Sequence, residues 1–354
     1  MTYQKIIIKS VNWVGDTILT TPSIRLVRRQ YPDARIVVIA RPWVADVLRD
    51  NPDIDDIWVV NESKDPAVFF KLLFRIRKER FDLGIVFPNS FISAFILWAG
   101  GVRHRIGYNR DGRGWMLSER IPVTPDILKK HQVEYYLDIL QSICPMGTAE
   151  RNLILPVNET ARKKVQALLR EKGIDDELER SYPLVGINPG AFYGSAKRWL
   201  PERFAAVADY LQLKHTARVI VTGTSQEKPI VDDIIKMTHE KNIYSVAGEI
   251  NLRELTALLD SLDVYITNDS GAMHVAAAVG TPVVAIFGST DWLTTAPYSD
   301  KAVIVRKDIE CAPCLKRDCP EDHACMKAIT VEDVTSRADA QLARYFYEKT
   351  QNRS

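Results

Sequence analysis

The stretch Asp263-Val264-Tyr265-Ile266-Thr267-Asn268-Asp269-Ser270-Gly271-Ala272-Met273-His274-Val275-Ala276-Ala277-Ala278-Val279-Gly280-Thr281-Pro282-Val283-Val284-Ala285-Ile286-Phe287-Gly288 decides the fold. Val264 to Thr267 is an apolar run of strand length, and the polar turn Asn268 to Gly271 follows it. Ala272 to Val279 predicts a helix of small residues, and Pro282 to Phe287 a second buried strand. In open α/β sheets, ligands sit outside the carboxyl ends of the strands. A helix that starts there offers unpaired N–H groups and the positive end of its dipole, which suits a phosphate. Ser270 and Gly271 permit close backbone approach, and His274 falls on the first turn. Asp269 and Ser270 can simply cap the helix. Capping alone does not account for a Gly, a Met and a His in one helix start, so a binding site is the favoured reading.

Outward from this stretch, strand and helix patterns alternate in both halves. Ile6 to Lys9, Arg35 to Ala40, Asp56 to Val60 and Leu83 to Phe87 read as strands. Helices over Gly15 to Tyr31, Val44 to Arg49 and Ala67 to Arg80 separate them, and one near Phe91 to Ala99 precedes an irregular basic region. A charged connection from Leu153 to Tyr182 holds a helix at Thr160 to Lys172. Beyond it, strands at Leu184 to Asn188, Ala217 to Thr222 and Ile243 to Val246 alternate with helices at Pro201 to Leu213, Lys228 to Lys241 and Leu252 to Ser261. This alternation predicts parallel sheets with right-handed crossovers. At 354 residues the chain is too long for one ordinary core. We therefore expect an α/β protein of two facing Rossmann-like, doubly wound domains with a deep cleft between them. The expected limits are 1–175 for the first domain and 182–330 for the second, with a helix over 331–354 packing back on the first.

A net charge of +2 leaves any affinity for an anionic partner to local patches. No nucleic-acid-binding module is present, so nucleic acid is not an expected partner. The N-terminus runs straight into a strand with no secretory pattern, and the longest near-apolar run, Phe91 to Val102, is too short to cross a bilayer. A cytoplasmic location is expected. Cys144 reads as a small buried hydrophobe. Cys311, Cys314, Cys319 and Cys325 form a C-x2-C-x4-C-x5-C cluster beside Pro313 and Pro320. In a reducing compartment that spacing suggests a structural metal site, with His323 competing as a ligand; free or redox-labile thiols are the rival reading. Either way the loop is pinned and does no chemistry.

Three further segments bear on chemistry. The first βα turn, Ser10-Val11-Asn12-Trp13-Val14-Gly15-Asp16-Thr17, lacks both the dinucleotide G-x-G-x-x-G and the P-loop pattern. It places one carboxylate, Asp16, at a helix start, either complementing the dipole or serving as a general base. Asn188-Pro189-Gly190-Ala191-Phe192-Tyr193-Gly194-Ser195-Ala196-Lys197-Arg198-Trp199 is a strand-end loop that closes on two cations. Lys197 or Arg198 suits a diphosphate there, although such pairs are usually solvated. Gly223-Thr224-Ser225 ends another strand, where Thr224 is a candidate contact to a ribose or base.

Together, Asn12-Trp13-Val14-Gly15-Asp16, the 189–199 loop and Thr267 to Ala278 resemble the ADP-heptose:lipopolysaccharide heptosyltransferases of glycosyltransferase family 9. The resemblance covers nearly the whole chain with its motifs in matching order, and Ala196-Lys197-Arg198-Trp199 is most like the branch that extends an existing heptose. It implies a GT-B fold and ADP-heptose as donor. It further implies inverting transfer to the first heptose of the lipopolysaccharide inner core, without a catalytic metal or other cofactor. It makes Asp16 the base, with Asn12 and Gly15 beside it on the acceptor side, and Lys197 a diphosphate contact. Asp269, Ser270, Gly271 and His274 fall in the donor site, with Thr224 added from its strand end. Departing ADP gains negative charge, which a Lys and a helix N-terminus stabilise without a metal. The rival readings are transfer of the first heptose to Kdo, another nucleotide-sugar donor, and a non-catalytic nucleotide-sugar binder, which the intact Asp16 and Lys197 disfavour. The family pattern leaves the four cysteines unexplained.

A lipid A-Kdo-heptose acceptor is anionic, so the resemblance calls for a basic surface on the first domain. Arg103, Arg105, Arg110 and Arg113 are the candidates, since arginine suits bidentate contact with phosphate or carboxylate; a solvated loop is the bland alternative. The helix Val68 to Arg80 sets Lys71, Arg75 and Lys78 among Phe69, Leu72, Phe74 and Ile76. It reads either as a cover for the sheet or as an element lying on the inner face of the inner membrane, a peripheral partner.

Overall fold

The computed structural model describes residues 2–61, 66–175 and 180–351, so the end of the expected C-terminal segment, 352–354, lies outside the described residues. The chain divides into two compact units, Met1–Pro156 and Val157–Ser354.

The first unit runs β1 (Lys5–Lys9), α1 (Val14–Leu19), α2 (Thr21–Gln30), β2 (Arg35–Ala40), α3 (Pro42–Leu48), β3 (Asp56–Val59), α4 (Pro66–Glu79), β4 (Leu83–Val86), α5 (Phe91–Ala99), β5 (His104–Tyr108), β6 (Glu119–Ile121), α6 (Pro125–Leu128) and α7 (Gln132–Asp138). Its strands pair in parallel in the order β3-β2-β1-β4-β5-β6. β1 is central, with Ile7 in register with Val37 on one side and Gly84 on the other. Ile6, Ile7 and Ile8 are fully buried, because helices cover both faces of a parallel sheet and both sets of alternating side chains must be apolar. Ile7, Val37, Ile39, Trp58, Phe81, Val86 and Leu97 join in one core.

Two expectations for this unit are corrected. The single helix read from Gly15 to Tyr31 is two, α1 and α2, because Pro22 in the first turn of α2 cannot donate into the preceding turn and restarts the helix. The basic region after α5 is not irregular: it holds β5. His104 and Arg105 open that strand at the sheet's end, while Ile106, Gly107 and Tyr108 are buried in it.

The second unit runs α8 (Glu159–Glu171), β7 (Leu184–Asn188), α9 (Pro201–His215), β8 (Arg218–Val221), α10 (Lys228–Met237), β9 (Ile243–Ser245), α11 (Leu252–Asp260), β10 (Val264–Asn268), α12 (Gly271–Val279), β11 (Val283–Ile286), α13 (Trp292–Thr295), β12 (Ala302–Val305), α14 (Ala324–Ala328) and α15 (Val331–Gln351). Its strands are also parallel, in the order β12-β11-β10-β7-β8-β9. Counted within each unit, both orders are 3-2-1-4-5-6, the doubly wound arrangement. α12 ends at Gly280, whose φ of +85 is the left-handed cap that glycine adopts without strain.

The division at residue 156 lies earlier than the expected 175, because α8 packs on α11 and so belongs to the second unit. The C-terminal helix α15, expected to reach back to the first domain, lies against α9 and strands β10, β11 and β12 of its own unit. Its Val334, Ala338 and Leu342 are buried in that unit's core with Phe204, Leu211 and Ile286.

Candidate active site

The strand order places a switch point between β1 and β4 in the first unit and between β7 and β10 in the second, and ligands in such sheets bind at the carboxyl ends there. Both units carry polar side chains at those ends.

In the first unit a cavity of about 380 Å³ opens beyond β1 and β4. Asn12, Trp13 and Asp16 come from the first βα turn, Asn89 and Ser90 from the end of β4, and Arg110 from beyond β5; α7 contributes Gln132, Tyr135 and Tyr136. Asp16 is half-buried in the first turn of α1, whose N-cap, Trp13, offers no side-chain acceptor. Its carboxylate therefore sits where the helix presents uncapped N–H groups and positive potential. Burial, with Asp16 as the next cause, pushes the Tyr136 phenol well above its ordinary value, so Tyr136 remains a neutral O–H. Asn89 Nδ2 donates to the Tyr135 hydroxyl at 2.9 Å, tying the end of β4 to α7.

The sequence-derived acceptor residues separate into two groups. Asn12 and Arg110 line the cavity with Asp16, and Gly15 is buried beside Asp16 in α1. Arg103 and Arg105 lie at the opposite end of β5 from the cavity. The Arg105 guanidinium donates to the backbone carbonyls of Val102, Arg103 and Met116. Arg113 is 0% exposed and holds the cavity wall from behind. It donates to the carbonyls of Tyr108, Pro88 and Ser90 and to Asn89 Oδ1. Burial pulls its guanidinium down to about 10, still charged at neutral pH. Arg105 thus spends its donors on backbone carbonyls, and Arg113 on backbone carbonyls and Asn89.

In the second unit, Lys197 Nζ lies 2.6 Å from Asp269 Oδ2 at the start of α12, and Thr290 Oγ1 donates to the same oxygen at 2.7 Å. Ser270 is the N-cap of α12, its hydroxyl accepting from the Met273 N–H and receiving a 3.1 Å bond from Asn188 Nδ2. Gly271 opens the helix, and His274 is buried in its first turn. Asn268, fully buried, pins the 189–199 loop: its Oδ1 accepts from the Trp199 N–H at 3.1 Å and its Nδ2 donates to the Pro189 carbonyl at 2.8 Å. Thr224 caps its own turn, with N–H and hydroxyl both donating to Glu227 Oε2. The Glu227 carboxylate in turn closes on Gly190, where a Cβ would stand 2.0 Å from Oε1. Sequence reasoning placed Asn268 in the strand-end motif but gave it no role, and missed Thr290 and Glu227, which match no motif, and Gln132, Tyr135 and Tyr136, whose only signal is an adjacent tyrosine pair on a helix.

The cysteine loop is corrected. Among the described residues no group of three or more His, Cys, Asp or Glu side chains is placed to hold a metal ion. Cys311 is exposed, Cys314 and Cys319 are half-buried, and Cys325 is buried in the second unit's core, all as free thiols. Burial, and after it the neighbouring Cys311, pushes the Cys325 thiol up. The loop instead braces the Lys197 turn. The Arg317 carbonyl accepts from the Ala196 N–H at 3.1 Å and lies where a Cβ on Gly194 would sit, while Ser195 Oγ donates to Asp318 at 2.8 Å.

The profile of glycosyltransferase family 9 (heptosyltransferase) matches residues 69–325. A lipooligosaccharide heptosyltransferase 2 of Haemophilus influenzae is 30% identical over 310 residues, covering 86% of this chain and 88% of its own. One of Campylobacter jejuni is 27% identical over 341 residues, covering 95% and 97%. The solved structure of Escherichia coli ADP-heptose lps heptosyltransferase II matches with a TM-score of 0.80 at 26% identity, covering 96% of this chain and 99% of that one.

Proposed function

The chain belongs to glycosyltransferase family 9, and on that premise we propose that it moves L-glycero-D-manno-heptose from ADP-heptose to the first heptose of the lipopolysaccharide inner core, with inversion and without a catalytic metal. The supporting observation is that Asp16 is the only carboxylate among the described residues lining the first unit's cavity. Inverting transfer needs one base, whereas retaining transfer through a covalent intermediate needs a nucleophile as well. The acceptor hydroxyl gives its proton to Asp16 while its oxygen bonds to the anomeric carbon. The bond from that carbon to the phosphate oxygen breaks on the opposite face, and ADP leaves with the electron pair. Lys197 and the Ser270-capped start of α12 stabilise the diphosphate as its charge grows, in the role a metal fills elsewhere. Asp269 holds the Lys197 ammonium in place and offsets part of its charge. Asn12 and Arg110 bind the acceptor beside Asp16. The relatives carrying the name heptosyltransferase 2 favour the second-heptose acceptor.

The test is transfer from ADP-heptose, with EDTA present, to truncated acceptors ending in Kdo or in one heptose. Product only on the heptose-terminated acceptor is expected. Product only on the Kdo acceptor overturns the acceptor assignment, a requirement for added divalent metal overturns the metal-free one, and no product on either overturns the donor assignment.

A further inference from the structure

α4 and α5 bury one side and leave large aromatic side chains uncovered on the other. Leu72, Ile76, Ala94 and Leu97 face the core. Outward, Phe70 is 66% exposed, Phe74 71% and Trp115 54%, with Phe91, Ile92 and Trp98 also exposed. All of these rings except Phe74 join in one network. Phe70 meets Phe69 at 6.1 Å, and Phe69 stacks on Phe95 at 6.2 Å. Phe95 meets Phe91 and Trp98, and both of these reach Trp115, at 6.4 and 5.1 Å. Single exposed hydrophobes are ordinary on a protein surface; a connected group of bulky aromatic rings marks a contact site.

Charge selects the occupant. Phe70, Phe74, Arg77 and Lys78 follow one face of α4 at i, i+4, i+7 and i+8, with Lys71 exposed beside them. The Arg77 stem runs along Gly101, just past the end of α5. α5 and the 3-10 turn Gly114–Met116 carry no acid, and Glu79, the one acid of α4, is held by Lys5 and Arg35. Tryptophan and phenylalanine rimmed by Lys and Arg suit the headgroup boundary of an anionic membrane. No described helix is long and apolar enough to cross a membrane.

We propose that this α4–α5 face, with Trp115, docks the protein on an anionic lipid bilayer. The inference deepens the proposed function and rests on its glycolipid acceptor. The docking face is continuous with the Asp16 cavity: Ser90 lines the cavity and Phe91 begins the aromatic network. Arg113 anchors the carbonyls of Pro88 and Ser90 two residues before Trp115. Contact with lipid therefore brings the cavity to the surface from which the acceptor's sugars project.

The test uses the full chain without donor or acceptor. It is sedimented with vesicles of phosphatidylethanolamine and phosphatidylglycerol and, in parallel, of phosphatidylcholine alone. Binding to the anionic vesicles is expected to weaken about tenfold or more in the Phe70→Ser/Phe74→Ser/Trp115→Ser variant and in the charge-reversed Lys71→Glu/Lys78→Glu variant. Transfer to a water-soluble, delipidated acceptor should stay unchanged in both. Failure of the wild-type protein to bind anionic vesicles overturns the proposal, as does equal binding by the variants. A dimer in solution that the aromatic variant dissociates, with vesicle binding intact, assigns the face to a second copy instead. Vesicle binding is read without catalysis, so its failure leaves the heptosyl-transfer reading standing, and the reverse also holds.

Discussion

Lys197 and Asp269 stand 72 positions apart in sequence and 2.6 Å apart in space. Both side chains are largely buried, so neither charge tolerates loss of the other. Lys197→Ala should destabilise the fold by roughly 2–3 kcal/mol through the unpaired Asp269 carboxylate, and should weaken ADP binding as well. Adding Asp269→Asn should restore most of the melting temperature and none of the ADP affinity; recovery of both would assign the pair a purely structural role. The sequence reading found both residues from their local motifs but not their bond, which exists only because β7 and β10 are neighbours in the sheet. Arginine shows the converse difficulty. Arg105, Arg110 and Arg113 look alike in the sequence, yet Arg110 lines the cavity while the other two donate to backbone carbonyls. Which way a guanidinium turns depends on carbonyls supplied by other segments.

α15 docks on α9 through Asp339. Its carboxylate accepts from the Tyr210 hydroxyl at 2.7 Å and Lys214 Nζ at 2.8 Å, with His215 Nε2 at 2.7 Å. Burial works against ionisation, yet the hydrogen bonds from Lys214, His215 and Tyr210 outweigh it and hold Asp339 below the usual aspartate range. A depressed folded value means that the stabilisation is fully present above the unfolded pKa of about 3.9 and is lost as pH falls through the lower folded value. Asp339→Asn should therefore cost roughly 1 kcal/mol at neutral pH and progressively less as the solution is acidified below that range. Urea melts of both proteins across pH check this, and a gap that stays constant into acid would contradict it. The amphipathic period of α15 was legible in the sequence, but its partner was not, since the same apolar stripe fits either unit. β5 was illegible for a related reason: His104 and Arg105 at its start mask the buried Ile106-Gly107-Tyr108 that follows.

At the scale of the whole molecule, two doubly wound units repeat one strand order, and each gathers its polar side chains at its own switch point. That repetition could be read in the alternation of continuous apolar strands with helices, because strands buried on both faces have no polar positions to spare. The cysteine spacing left a metal site and free thiols both open, because a loop that braces the Lys197 turn and sinks Cys325 into a core can look, residue by residue, like a ligand set. The proposed base lies in the first unit and the proposed donor contacts in the second, so removing the base should spare donor binding. The most direct measurement is the transfer rate of Asp16→Asn at saturating ADP-heptose, with ADP affinity titrated alongside. With Asp16 as the base, the rate should fall by about 10²–10⁴-fold with ADP affinity unchanged, whereas transfer near the wild-type rate would contradict that role.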